Sequence, residues 1–142
     1  MGGATKKDSF PCYTLDLSNT SVQNYVPDSL SNLCLLIANN SSRSNQVNFS
    51  IQIITKSSEV KKSFNDFYRL PPLLKTELVK WNLFKDLKKN MPVERVLQFV
   101  QIPLSAFSTP GHPIAPKDIQ QINFIFDKQP FGSVILDKIG FN

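Results

Sequence analysis

The stretch VNFSIQI at residues 47–53 alternates apolar and polar side chains without a break. Val47, Phe49, Ile51 and Ile53 fall on one side, and Asn48, Ser50 and Gln52 on the other. A side-chain period of two fits a strand with one buried face and does not fit a helix. The signature recurs along the chain. YTLDLSN (13–19) sets Tyr13, Leu15 and Leu17 against Thr14, Asp16 and Ser18. VLQFVQIPL (96–104), QQINFIFD (120–127) and SVILDKIGF (133–141) read the same way, and LCLLIAN (33–39) is a continuous apolar run of strand length. Between them lie the polar cluster NNSSRSNQ, the proline-bearing loop STPGHPIAP and the turn KQPFG. At least six short strands punctuated by turns specify an all-β sandwich or barrel. Chain order alone leaves jelly-roll and immunoglobulin-like topologies both open.

One segment departs from the period of two. PPLLKTELVKWNLFKDLKKN (71–90) carries Leu74, Leu78, Trp81 and Phe84 at helical spacing, with Lys75, Lys80, Lys85, Lys88 and Lys89 mostly elsewhere. Val79 and Leu83 interrupt the stripe. The expectation is a short helical or irregular insertion around residues 71–90 whose apolar side caps the core. The alternative is a basic amphipathic helix, residues 73–89, lying on a membrane surface.

At 142 residues the chain supports one core and not two. Residues 1–9 (MGGATKKDS) are polar and read as a tail, which leaves 10–142 as a single domain. That start has the pattern of neither a secretory signal nor a myristoylation site, since Lys6 stands where Ser or Thr is required. No apolar stretch approaches the roughly 20 residues that span a bilayer. The net charge of +5 is dispersed apart from residues 75–89, and no aromatic RNA-binding motif or Arg cluster accompanies it, so nucleic acid is not the expected partner.

Catalysis finds little support in the residue inventory. His112, the single histidine, lies in a Pro/Gly loop, no serine occupies a G-x-S-x-G elbow, and five glycines build no phosphate-cradling loop. The expectation is a non-enzymatic protein. Cys12 and Cys34 match no redox or zinc spacing, and three states stay open: free buried thiols, a disulfide joining the first two strands, or a reactive pair.

Two longer stretches carry a resemblance. VLQFVQIPLSAF and IQQINFIFDKQPFGSVILDKIGF resemble the closing half of galactose-binding-like β-sandwich modules. They are similar in kind to the carbohydrate-binding jelly rolls of secreted glycan-active enzymes. The resemblance is nearest to the C-terminal domain of some secreted bacterial α/β-hydrolases of lipase or esterase type, where NFSIQI and the Tyr68–Pro72 segment also have counterparts. It covers the chain from about residue 33 to the end.

The resemblance implies a jelly-roll fold and a non-catalytic carbohydrate-binding-like module. Such a module is an accessory domain that holds a hydrolase near a glycan or cell-surface polysaccharide, in a secreted or cell-surface setting. Its implied ligand-binding residues are Trp81, Tyr68 and Arg69. It also implies a structural calcium where the first and last strands meet, with Asp137 and Asp16 as ligands; Lys138 stands where such modules often carry a further acid or Asn. Two other functions stay open beside this one: a structural or protein-interaction domain without a glycan ligand, and the membrane-surface module.

Overall fold

The computed structural model describes residues 9–19, 32–41, 46–75 and 93–142. Among these residues nine strands form: β1 (Cys12–Asp16), β2 (Asn32–Asn39), β3 (Ser50–Thr55), β4 (Glu59–Ser63), β5 (Leu74–Lys75), β6 (Val93–Glu94), β7 (Gln98–Pro103), β8 (Ile119–Ile125) and β9 (Val134–Phe141). They build a four-stranded sheet in the order β1-β8-β3-β4, a three-stranded sheet β7-β2-β9 and the two-residue ladder β5-β6. Every pairing is antiparallel. The two larger sheets enclose one core, so the all-β expectation holds at the level of a two-sheet sandwich.

The alternation read from the sequence places the core. Val47, Phe49, Ile51 and Ile53 are all buried, as are Val100, Ile102 and Leu104 on β7 and the residue after it. The two most apolar runs became β2 and β8, each flanked by a paired strand on both edges. Phe49 is the hub: its ring stacks on Phe64 at 4.6 Å between centroids and lies 6.2 Å from Phe124 and 5.5 Å from Phe126.

Two strands change phase part-way, each through a β-bulge. On β9, Leu36 pairs with Lys138 and Ile37 with Leu136, so Asp137 has no partner on β2. The extra residue brings Leu136 and Ile139, three apart, onto the same inner face, where both pack against the core. On β8 the step from Gln121 to Ile119 skips Gln120 in the same way, and Ile119 and Ile122 are both buried.

The two flanks of the sandwich differ. On the flank of β4 and β7, 3₁₀ turns at 64–66 and 104–107 close the gap, with Phe67 on Phe107 at 5.2 Å and the Tyr68 hydroxyl donating to Gln98 Oε1 at 3.1 Å. On the flank of β1 and β9, Tyr13, Leu15, Phe126, Val134, Leu136 and Ile139 line an open groove of about 510 Å³ with Asp137 on its wall.

Leu74 and Lys75 depart from the helical expectation: they pair with Glu94 and Val93 as strand. Pro71 and Pro72 hold the approach to them out of the helical region, since proline favours extended backbone in the residue before it, here Leu70 and Pro71. Residues 76–92, with the rest of the expected insertion and its membrane-surface alternative, lie outside the described residues. No helix among the described residues is long and apolar enough to cross a membrane.

The disulfide alternative is not realised, since both cysteines are free. Cys12 projects from the outer face of one sheet and Cys34 from the outer face of the other. Packed sheets stand about 10 Å apart, beyond the reach of a bond between side chains that point away from each other.

Two outcomes test this frame. Phe49→Ala removes the ring that joins Phe64, Phe124 and Phe126 and is expected to cost about 3–5 kcal/mol in urea unfolding. Asp137→Val removes a charge and favours a flat, pairable edge on β9. Sedimentation velocity is expected to show concentration-dependent association in this variant beyond that of the wild type; identical profiles would count against a guarding role for Asp137.

Candidate functional site: the end cleft

At the end of the sandwich where β1 and β9 begin, three segments meet: Phe10–Pro11 ahead of β1, Val47–Asn48 ahead of β3, and residues 126–134 linking β8 to β9. Together they enclose a cleft of about 570 Å³. Phe126 forms part of its wall and touches Phe49 behind it, so the cleft is seated directly on the core.

Hydrogen bonds hold these segments in place before any ligand arrives. The Gln129 side chain spans the gap to the neighbouring segment: its Oε1 accepts the Asn48 N–H at 3.3 Å, and its Nε2 donates to the Gln46 carbonyl at 3.0 Å. One side-chain amide thus supplies both halves of a ladder step that backbone would supply in a strand. Asn48 Oδ1 accepts from the Phe49 N–H, the Ser63 hydroxyl and the Asn65 N–H, which fastens the same segment to the end of β4. Phe126 N–H donates to the Pro11 carbonyl at 2.9 Å, and Asn40 N–H to the Ser133 carbonyl at 2.9 Å.

Asp127 is the anchor of the linking segment. Its Oδ1 accepts the Ser50 hydroxyl at 2.6 Å and its Oδ2 pairs with the Lys61 ammonium. Ser50 points outward as the alternation requires, yet it is fully buried because this pair lies over it. Burial raises the Asp127 pKa, but the Lys61 hydrogen bond and charge and the Ser50 hydrogen bond outweigh it and hold the carboxyl below its ordinary value.

The mouth of the cleft is aromatic. Phe131 is 60% exposed and Phe10 51%, an exposure that Phe99 and Tyr13 share elsewhere on the described surface. Polar groups stand among them: Lys128, Gln129 and Ser133.

The residues singled out from the sequence fall elsewhere. Tyr68 is half-buried on the closed flank, its hydroxyl bonded to Gln98, and Arg69 is exposed beside it; neither lines the cleft. Trp81 lies outside the described residues. Asp16 is exposed on β1, and its Oδ1 accepts both the Ser18 N–H at 2.9 Å and the Ser18 hydroxyl at 2.6 Å. Those two bonds hold its carboxyl below the ordinary value. Asp137 lines the lateral groove and Asp16 does not. No three His, Cys, Asp or Glu side chains cluster as a metal site among the described residues. His112 is exposed in the turn from Thr109, where Gly111 takes a left-handed φ of +82°.

The cleft itself carried one sequence signal, a phenylalanine inside a Pro/Gly turn. KQPFG places Phe131 where neither strand face can bury it. Comparison with protein-family models, curated proteins and solved structures returned no match for the chain.

The Asp127 pair fixes a pH dependence. A carboxyl depressed in the folded state contributes stability that is complete above its unfolded pKa and is lost as pH falls through the folded value. Lys61 is 43% exposed and solvent screens the pair, so the contribution is about 1 kcal/mol or less. Lys61→Met is expected to shrink the loss of stability between pH 5 and about pH 2, followed by urea unfolding across that range. An acid limb as steep as wild type would remove Lys61 as the cause.

Proposed function

We propose that this chain is a non-catalytic binding module of the galactose-binding-like, jelly-roll type that holds a glycan in its end cleft. In this reading it serves a secreted or cell-surface hydrolase as an accessory domain. The observation that carries the reading is the exposure of Phe131 and Phe10 at the mouth of a cleft already fastened by Gln129, Asn48 and Asp127. Apolar ring surface left in water is unfavourable by about 25 cal/mol per Å², and the carbon-bound hydrogens of a sugar ring relieve that by stacking on the exposed part. A preformed wall keeps the ordering cost of binding low. Tyr68 does not serve as a platform here, because its ring and hydroxyl are already engaged.

The reading does not require calcium. Asp16 bonds Ser18 through one of its oxygens and does not line the lateral groove, where Asp137 is the one carboxylate among otherwise apolar or aromatic side chains. Calcium asks for six to eight oxygens, which this donor set supplies poorly.

A second reading has its own observation. The outer face of the three-stranded sheet presents Phe99, 63% exposed, beside Leu36 and Cys34. Such a face suits packing on another domain, the protein-interaction function without a glycan ligand.

A glycan array with and without chelator, accompanied by thermal melts, tests the choice. Wild type is expected to retain at least one glycan class, Phe131→Ala to lose about tenfold in affinity, and chelation to leave both binding and the melting temperature unchanged. An array blank for wild type would sink the glycan reading and leave the packing face. A chelator-induced drop in melting temperature would restore calcium to the structure.

A further inference from the structure

Resting on the reading of the end cleft as a glycan site, the charges at that cleft name the class of glycan. Among the described residues two ionisable side chains line it, Asp127 and Lys128. They are adjacent in sequence and opposite in circumstance. Asp127 is 9% exposed, and its two oxygens are engaged by Ser50 and Lys61, so its negative charge is compensated within the protein. Lys128 is exposed and makes no hydrogen bond or ion pair with the described residues.

The neutral polar groups of the cleft do not offset Lys128. Gln129 is engaged at both ends of its amide and Asn48 Oδ1 accepts three bonds, so these groups hold the wall. The cleft therefore presents two exposed aromatic rings, with Phe126 in the wall behind them, and one positive charge that no described residue compensates, in a protein that carries +5 overall. The local charge and the distant field have the same sign, which draws in anions and disfavours cations.

We infer that the cleft takes an acidic saccharide, one whose carboxylate meets Lys128 while a ring face lies against Phe131 or Phe10. A neutral sugar can stack on the rings but gives Lys128 no counter-charge. Because the pair is exposed, the gain is modest: about two- to fivefold in affinity at low salt, shrinking as ions screen it.

The test uses matched pairs of oligosaccharides ending in galacturonate, glucuronate or sialate, each as the free acid and as its methyl ester. Esterification removes the charge and keeps the ring. Binding is measured by calorimetry at 20 and 150 mM NaCl for wild type, Lys128→Gln and Lys117→Gln, the last an exposed lysine away from the cleft. For at least one pair, wild type is expected to prefer the acid by about two- to fivefold, less so at the higher salt. Lys128→Gln is expected to bind acid and ester alike, and Lys117→Gln to keep the preference. Equal binding of acid and ester by wild type, or a preference that survives Lys128→Gln, overturns the inference and leaves the glycan reading standing. Wild type that binds neither acid nor ester in any pair overturns the inference; the glycan reading itself falls only if the wider array is also blank.

Discussion

The burial of Phe49 between two sheets is the constraint on which the rest of the molecule depends. Its ring lies against residues from β8, from the segment after it and from the turn that follows β4. These partners come from β8 and from the turn after β4, so β8, β3 and β4 must assemble side by side before the ring gains its contacts. Closing costs backbone entropy in every strand, and buried aromatic and aliphatic surface is the term large enough to offset it. What lies outside the cluster inherits its geometry from it: Phe126 is at once a neighbour of Phe49 and part of the cleft wall.

Above that apolar base the cleft is held by polar bonds of a particular kind. Gln129, Asn48 and Asp127 each hold main chain or side chains more than ten residues away, and none is a member of a regular ladder. Side-chain amides do at the end of the sandwich what backbone does in its middle. An arrangement of this sort is rigid without being covered, and it leaves aromatic rings at the rim in water. The open flank between β1 and β9 shows a different solution to exposure, where the bulge at Asp137 disrupts the outer strand.

Much of the fold was legible in the residues because period-two alternation is a local property. Val47 to Ile53 and Val100 to Leu104 declare their inward faces without reference to any partner. The bulges were not legible: Leu136 and Ile139 are out of phase as written, and only the register against β2 makes Asp137 the extra residue. The candidate site was less legible still. Phe131 in its Pro/Gly turn was the one local sign of an exposed ring, while Tyr68, an equally plausible aromatic in the sequence, is turned into the closed flank by Gln98. Asp16 and Asp137 invited pairing by their places in the first and last strands, yet one side chain bonds within its own turn and the other lines the groove.

By itself the sequence determined the class of structure, six of the seven described strands of the two larger sheets and most of the side chains that face inward, since hydrophobic periodicity acts residue by residue along the chain; β4, Glu59–Ser63, is too polar to show that period. Only the tertiary structure decided which strands neighbour one another, which flank closes, where Asp137 sits and which polar groups are already satisfied. Those outcomes are set by contacts between residues far apart in sequence. Lys61 reaches from β4 across β3 to Asp127, and that contact makes Asp127 a compensated charge and leaves Lys128, one residue on, without a partner among the described residues.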